Sequence, residues 1–499
     1  MTPARTGTAR CALGLVLASC LLVARGAEAQ EQPAPVPNDN TFAIDLFQGF
    51  YLGPTRVSSM GGAYAGYAEG TGGIASNAAA PAVRGPYSLT SFDFDVDASI
   101  SIPLYLGEND DVDNSGERDA DYTRYIYLNG IGQVQYGPFG AGVFADLQRY
   151  ELAFPPDQQD TTVVTVGRYH ALAGWRFWGN QFIVGGGVRA LSLSISSPES
   201  ELTFTGFAPQ VGFLVRPDWM PFRIGGTYRH PVSASILIGD EELDAEGNRR
   251  AGRLLLPRGV EMPWEVEVGA AIQVGARPLN PEWLDPDEHE AELREHYEQR
   301  MRAREQAMNR QLASFPPGEA RAQLRAQLNR DRWDADQRDA AEYRRRKERL
   351  RDERRIRAQN WPREALLLVL DLVVTGPVDN AVGLEPFLSQ GQTRPATPCP
   401  VVGSGRTVDY SPRFGLEVEP FPGWVHTRFG SYYEPQRYAY ATPDCEGRSG
   451  RQHFTFGADV KLFRTTWFGL SKEVTYKLQG YGDLAPRYQT FGLGFGVWH

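Results

Sequence analysis

The sequence predicts an all-β membrane protein, an antiparallel outer-membrane β-barrel of about 14 strands with an N-terminal plug and an inserted periplasmic α-helical hairpin. Three observations lead to this fold class: an N-terminal export signal, long segments in which apolar and polar residues alternate, and connections that alternate between short and long. The 499 residues suffice for one large barrel. A formal net charge of −10 argues against nucleic acid as a partner.

Residues 1–29 form a predicted secretory signal peptide. Two arginines precede the apolar run 11–24, and Ala27-Glu28-Ala29 supplies a small-residue cleavage site. Cys20 ends a lipobox-like sequence, so lipidation of that residue is the alternative. The sequence after the signal contains no uninterrupted run of ~20 apolar residues, which excludes transmembrane helices and leaves a secreted soluble protein or a barrel.

Alternation of apolar and polar residues is clearest in residues 92–102, where every even position is apolar and every odd position is Asp or Ser. The same alternation recurs in 264–274, 363–374 and 454–462. A strand of ~9–11 residues crosses an outer membrane with one face in lipid and the other in a polar lumen. The pattern therefore predicts a barrel that has outer-membrane lipid as a partner.

Connections between the predicted strands alternate in length. About fourteen segments fit the strand pattern, with predicted spans 87–104, 124–136, 139–153, 163–177, 181–195, 201–216, 222–238, 260–276, 362–376, 408–419, 424–436, 452–463, 467–480 and 486–499. Short connections such as Gly137-Pro138 and Thr465-Thr466 alternate with long ones such as 239–259 and 377–407. Short turns face the periplasm in such barrels, so both termini are expected there. Residues 491–497 resemble the terminal strand that the barrel insertion machinery recognises, and this machinery is an expected partner.

Residues 281–360 interrupt the strand pattern between the eighth and ninth segments. They are rich in Arg, Glu, Gln and Ala, which favours helices, and Pro316-Pro317-Gly318 separates two halves. A thin apolar stripe predicts an antiparallel hairpin that packs through Leu293, Tyr297, Met301, Met308, Leu312, Leu324, Leu328, Trp333, Tyr343 and Leu350. Strand parity puts this hairpin in the periplasm, where it offers a surface to a protein partner.

The segment before the first strand carries a family resemblance. Arg56 is followed by Met60-Gly61-Gly62-Ala63, then by small residues, Asn77 and Pro81-Ala82. This pattern resembles the N-terminal plug of the FadL-type outer-membrane transporters of fatty acids and other hydrophobic compounds. That family shows a contiguous Asn-Pro-Ala, which is broken here, and the hairpin is not part of its common pattern. The resemblance implies an N-terminal segment and plug over 30–85, a barrel over 86–499, and plug residues Arg56, Met60, Gly61, Gly62, Ala63, Asn77 and Pro81. The alternative is that the segment only stabilises the lumen.

Candidate binding residues lie in the predicted loops and lumen. Six apolar residues in two long loops predict a substrate pocket: Leu254, Leu255, Leu256, Leu384, Phe387 and Leu388. The alternative is that these residues only pack one loop against the other. Four basic residues occupy strand positions whose side chains are expected to face the lumen: Arg168, His170, Arg229 and Arg428. They could bind an anionic group of the substrate, or they could pair with carboxylates that also face the lumen. Cys399 and Cys445 remain after signal cleavage in an oxidising compartment, which predicts a disulfide.

The predicted function is passive uptake of long-chain fatty acids or other hydrophobic small molecules through the outer membrane of a Gram-negative bacterium. The alternative is a structural or assembly protein that anchors the helical hairpin to envelope partners. No motif in the sequence indicates an enzyme, and no cofactor or metal is expected, because the seven histidines include no i, i+4 pair on a helix.

Overall fold

The fold is taken from a computed structural model. It describes residues 38–47, 49, 51, 53–85, 88, 90–104, 110, 114, 121–153, 161–198, 200–238, 241–281, 283, 285–360, 362–390, 401–440, 450–467 and 471–498. The signal peptide, Cys20, Cys399 and Cys445 lie outside these residues, so the signal and the disulfide remain predictions.

The described chain forms a closed barrel of 14 antiparallel strands. The strands are β1 Phe92–Pro103, β2 Asp121–Tyr136, β3 Phe139–Ala153, β4 Thr161–Phe177, β5 Phe182–Ser196, β6 Glu201–Val215, β7 Phe222–Arg229, β8 Glu265–Gly275, β9 Ala365–Thr375, β10 Asp409–Phe421, β11 Val425–Glu434, β12 Arg451–Trp467, β13 Ser471–Ala485 and β14 Tyr488–Val497. Each strand pairs with its neighbours in sequence, and Asp97 opposite Gly496 closes β1 onto β14. The predicted fold class is thereby confirmed.

Two strands extend beyond the barrel wall on the side of the long loops. Val232–Ile238 continues β7 after a break at Pro231. Gly259–Met262 precedes β8 and pairs with Val232–Ile238. The predicted turn at Thr465-Thr466 is wrong, because β12 continues to Trp467 and still pairs with β13 there. The other predicted spans agree with the strands to within a few residues.

The chain also contains helices and short strands that are not part of the barrel wall. The helices are α1 Thr55–Ser58, α2 Gly70–Ser76, α3 Pro286–Ala313, α4 Glu319–Gln359 and α5 Leu384–Leu388, with 3₁₀ turns at Ala80–Ala82 and Trp178–Asn180. The remaining short strands are Ala43–Asp45, Glu242–Leu243, Arg249–Ala251, Leu254–Leu255, Ala381–Gly383, Val401–Ser404 and Tyr438–Tyr440. No helix in the described part of the chain is both long enough and apolar enough to span a membrane.

The outer face of the wall is apolar, as the alternation in the sequence predicts. In β1, Phe92 and Ile102 are exposed, whereas Asp95 and Asp97 are buried in the lumen. Exposed aromatic residues gather at the end of the barrel that carries the short turns: Tyr136, Phe139, Phe177, Trp178, Trp219, Phe421 and Trp424. Such a girdle marks the boundary between hydrocarbon and water in outer-membrane barrels.

The chain enters the lumen from the opposite end. Ala43–Asp45 pairs in parallel with Gly259–Glu261 and with Ala381–Gly383, above the barrel wall on the long-loop side. The described chain therefore starts on the long-loop side, whereas the predicted strand parity puts both termini on the short-turn side. The reason is physical: backbone groups at these two edges lack partners in the wall, and the inserted strand hydrogen-bonds both edges.

Helices α3 and α4 form an antiparallel hairpin that breaks at the predicted proline pair. Ion pairs hold it together: Arg304 Nη1 lies 2.7 Å from Asp336 Oδ1, and Arg354 Nη2 lies 2.8 Å from Glu290 Oε1. Of the predicted apolar stripe, Leu312 is buried but Trp333 is 64% exposed, so Trp333 is not part of the interface. The other stripe residues are buried or partly buried, and the rings of Tyr297 and Tyr343 stack 5.2 Å apart, so apolar contacts and ion pairs together orient the two helices.

Candidate functional site: the lumen and its plug

Inward side chains of β3 to β6 divide the lumen into layers. On β4, Val164 and Val166 lie nearest the long loops, Arg168 and His170 follow, and Leu172 and Gly174 lie below them. The neighbouring strands keep the same order because their register is continuous. The lumen therefore has an apolar upper layer, a polar middle layer and a lower layer that contacts the plug.

The upper layer is a single apolar cluster. Its wall residues include Tyr150, Val164, Leu193 and Phe204, and Phe42 and Ile44 from the entering chain lie among them. All six predicted pocket residues belong to this cluster and are buried: Leu254, Leu255, Leu256, Leu384, Phe387 and Leu388. In this structure they pack on one another and on the wall, so they cap the lumen from the long-loop side.

The middle layer encloses a polar cavity of about 120 Å³. Four arginines and three carboxylates line it, together with rings of Phe47, Tyr51, Phe144 and His170: the charged residues are Arg168, Arg189, Arg229, Arg413, Asp146, Glu265 and Glu267. Three of the four predicted anion contacts, Arg168, His170 and Arg229, thus meet at one cavity.

Most charges around the cavity have partners. Arg229 Nη2 lies 2.9 Å from Glu267 Oε2, and Arg189 Nη1 lies 3.0 Å from Glu265 Oε2. Arg168 Nη1 is 4.0 Å from Asp146 Oδ2, a looser contact. Arg413 Nη1 lies 3.9 Å from Glu267 Oε1 and stands opposite Asp371 in the strand register, so each of the four arginines has a carboxylate close by.

Residues 53–85 form the plug, and they contact the wall on all sides. Lumen-facing glycines of the wall make room for its backbone: an added Cβ would lie 2.2 Å from Gly61 N at Gly430, 2.4 Å from Ala65 O at Gly225, and 2.1 Å from Ala78 O at Gly185. These glycines belong to β11, β7 and β5, so the plug lies inside the barrel. Gly61 itself adopts a φ of +63°, which favours glycine.

Asp371 anchors the predicted Met-Gly-Gly-Ala turn. Its Oδ2 accepts hydrogen bonds from Tyr64 N at 2.5 Å and from Ala65 N at 2.7 Å. Asp371 interrupts the leucine-rich β9, where it faces the lumen and is buried. Charge-assisted bonds to two backbone amides fix the turn against the wall.

Asn77 links two parts of the plug to the wall. Its Nδ2 donates to Ala65 O and to Phe213 O, both at 2.9 Å, while its Oδ1 accepts from Ala79 N at 2.9 Å. Pro81 follows in the 3₁₀ turn, where its carbonyl accepts from Gln135 Nε2 at 2.8 Å. The separation of Asn77 from Pro81 therefore leaves both residues in contact with the wall.

Arg56 and Arg428 share a carboxylate network below the plug turn. Arg56 forms a bidentate pair with Glu417 at 2.7 and 2.9 Å and stacks beside the rings of Tyr64 and Tyr67. Arg428, the fourth predicted anion contact, is buried and pairs with Glu417 and Asp459. Arg428 does not line the cavity of the middle layer, and its contacts hold the plug.

Sequence reasoning missed the partners on the underside of the plug. Glu69 lies 2.5 Å from the buried Arg223 Nη2 of β7, and Tyr67 Oη donates to Glu69 Oε2 at 2.6 Å. Burial raises the pKa of Glu69, but the guanidinium groups of Arg223 and Arg216 outweigh it and hold that pKa at about 2. Glu69 carried no alternation signal, because it lies in the irregular segment before the strands.

In the described part of the chain, no group of three or more His, Cys, Asp or Glu side chains is placed to hold a metal ion. The sequence matches no protein-family model, and it matches no curated protein.

Several solved structures have a similar fold. A structure titled as the CymD monoaromatic hydrocarbon channel has a TM-score of 0.43 and 10% identity, and the match covers 91% of this chain and 97% of that one. The Pseudomonas putida toluene transporter TodX gives 0.44 and 10%, covering 91% and 98%. A Pseudomonas aeruginosa FadL homologue gives 0.43 and 9%, covering 90% and 98%. The chain itself forms the predicted barrel of 14 strands, with an N-terminal segment inside it.

Proposed function

We propose that this protein is a passive outer-membrane channel for hydrophobic small molecules. The apolar upper layer of the lumen carries the proposal, because it offers a solute burial of apolar surface directly behind the long loops. Burial stabilises an apolar solute by about 25 cal/mol for each Å² removed from water. A solute moving down its concentration gradient in this way needs neither a nucleotide nor a redox cofactor.

The finer proposal is that the solute is a long-chain fatty acid. Four arginines line the cavity below the apolar layer, and the carboxylate of an entering fatty acid would pair with a guanidinium group there, near Arg168 and His170. A volume of about 120 Å³ is too small for a long acyl chain. The chain would therefore lie in the upper layer, where it displaces the loop residues that fill that layer in this structure.

Passage further into the lumen requires the plug to move. Asp371, Asn77 and the Arg56–Glu417 pair hold it in place, and these contacts lie below the cavity. We propose that solute binding in the upper two layers precedes this movement.

The helical hairpin is proposed to lie in the periplasm. It leaves the barrel between β8 and β9, at the end that also carries the short turns and the last residues of β14. The long loops would then face the outside of the cell, where the solute arrives.

Uptake into cells with and without the protein tests the function. Labelled long-chain fatty acid and a labelled neutral hydrocarbon should both enter faster with it. Arg168→Gln should lower fatty-acid uptake about tenfold and leave the hydrocarbon unchanged, because only the anion needs the guanidinium group. Arg325→Gln, an exposed arginine on α4, is the matched control and should change neither rate.

A second candidate function follows from the hairpin. Its 28- and 41-residue helices are unusually polar for a turn between barrel strands, which favours an anchoring role toward envelope partners. If neither uptake rate depends on the protein, and loss of 286–359 disturbs the envelope, anchoring replaces transport as the function.

A further inference from the structure

The segment between β8 and the hairpin does not leave the barrel directly. Leu279 is 4% exposed and packs against the plug, in one cluster with Met60, Tyr64 and Tyr67. Four residues further on, Trp283 Nε1 donates to Ser88 O at 2.9 Å, just after the plug. Leu279 and Trp283 therefore contact the plug and the residues just after it before α3 begins at Pro286.

Arg223 joins this segment to the plug. Its guanidinium donates to Tyr67 O at 2.9 Å and pairs with Glu69 at 2.5 Å, both on the plug. The same group donates to Asn280 Oδ1 at 2.7 Å and to Leu279 O at 2.6 Å. One buried side chain from β7 thus ties both segments together.

Asn280 and Trp283 fix the segment itself. Asn280 Nδ2 lies within 3.0 Å of the carbonyl oxygens of Pro217, Met220 and Phe222 in the turn before β7. The Trp283 ring lies between two guanidinium groups, 3.8 Å from that of Arg176 and 5.0 Å from that of Arg84. These contacts are as specific as those of the plug.

The hairpin follows almost at once. Asp285 caps α3 by accepting a hydrogen bond from Asp287 N at 2.9 Å, two residues after Trp283. Glu290, in the second turn of α3, is held by Arg354 and Lys347 of α4 at 2.8 and 2.9 Å. Because only one residue separates Trp283 from Asp285, a displacement of the hairpin base reaches Trp283 over a short length of chain.

We infer that Leu279, Asn280 and Trp283 form a latch that holds the plug from below, and that the hairpin sets the position of this latch. Displacement of the hairpin would free Asn280 and Trp283, weaken the Arg223 contacts to Tyr67 and Glu69, and release the plug at the short-turn end. This inference rests on the proposed channel function and adds the element that regulates it.

The test uses the full chain in lipid bilayers and no hydrophobic solute. The latch variant is Asn280→Ala with Trp283→Ala, and the matched control is Asn309→Ala with Trp333→Ala, the same residue types on exposed hairpin positions. The latch variant should exchange the amide hydrogens of residues 63–76 about tenfold faster. The control should not. Unchanged amide exchange in a folded latch variant overturns the latch.

Two further variants complete the test. Asn280→Asp keeps the acceptor for Arg223 but removes the donor to the three carbonyls, so it should act in the same direction if the double variant fails to fold. Glu290→Gln loosens the hairpin base and should speed exchange of residues 63–76 about threefold, whereas Glu298→Gln, on the exposed face, should not. If Glu290→Gln leaves the plug unchanged, the hairpin does not set the latch. Failure of hydrophobic uptake with these results intact would overturn the proposed function alone.

Discussion

At the scale of single residues, the plug depends on two features of the wall: glycines that make room for its backbone and carboxylates that bind its amides. Gly430, Gly225 and Gly185 each lie where a side chain would collide with the plug backbone. Asp371 supplies the acceptor for two amides that have no other acceptor in the plug turn. The wall is therefore shaped for this plug.

Replacing Asp371 with Ala should loosen the plug turn. Two buried amides, of Tyr64 and Ala65, would lose their acceptor, which costs about 1–3 kcal/mol for each amide. Faster amide exchange of residues 63–68 measures the effect. Asp39→Ala is the control, since Asp39 also accepts a backbone amide hydrogen bond, from Thr41, but at an exposed position. Equal exchange in both variants would contradict the assigned role of Asp371.

Gly430→Ala should displace the plug, because the new methyl group would lie 2.2 Å from Gly61 N. The expected result is faster amide exchange in residues 55–67. The matched change is Gly132→Ala on β2, where an added Cβ meets no atom within 4 Å. If both variants behave like the original protein, the plug does not rest on Gly430.

At the scale of elements, the alternation of apolar and polar residues in the sequence predicted the strands well. Residues 92–102 follow a strict period of two, and they form β1 with its carboxylates in the lumen. The helical hairpin could also be predicted from the sequence. Pro316 and Pro317 end its first helix, and the low content of β-branched residues favours both helices. The apolar stripe predicted most of the interface between its helices, including the stack of Tyr297 on Tyr343, but it wrongly included Trp333 and did not show the arginine ion pairs.

The latch and the plug partners could not be read from the sequence. Arg223 and Glu69 are 154 residues apart along the chain, and the pairing depends on the closed barrel. A lumen-facing glycine such as Gly430 looks like any other glycine in a strand. Only a close backbone approach explains it. Parity placed Arg168 and Arg229 inward, but it did not show that they meet at one cavity.

Labelling from outside intact cells tests the orientation of the hairpin. In a Cys399→Ser, Cys445→Ser background, Gly318→Cys at the hairpin tip should not react with a membrane-impermeant maleimide. Glu246→Cys, exposed in the long-loop sheet, should react. The opposite result at both positions would invert the orientation of the barrel.

At the scale of the whole molecule, the layers of the lumen place solute contacts above and gating contacts below. The cap of Leu254, Phe387 and their neighbours closes the long-loop end, and the plug with its latch closes the other. The polar cavity lies between the two closures. A solute therefore meets an apolar environment first and must displace the plug last.

Deleting residues 46–85 should convert the protein into an open pore for small polar solutes. A barrel of this strand number is wide enough to leave an aqueous channel when nothing fills it. Sugar influx into liposomes should rise about tenfold or more, while the barrel strands keep their amide protection. Unchanged influx would mean that other residues seal the lumen.

The parallel strand Ala43–Asp45 has a consequence for the order of assembly. It lies at the long-loop end of the barrel, whereas β1 begins at the short-turn end. The chain between them therefore crosses the lumen from one end to the other. Once β1 has paired with β14, the residues before Ala43 could reach that position only by passing through a lumen lined with matching side chains. The seam between Asp97 and Gly496 should therefore close last, around a segment already in place.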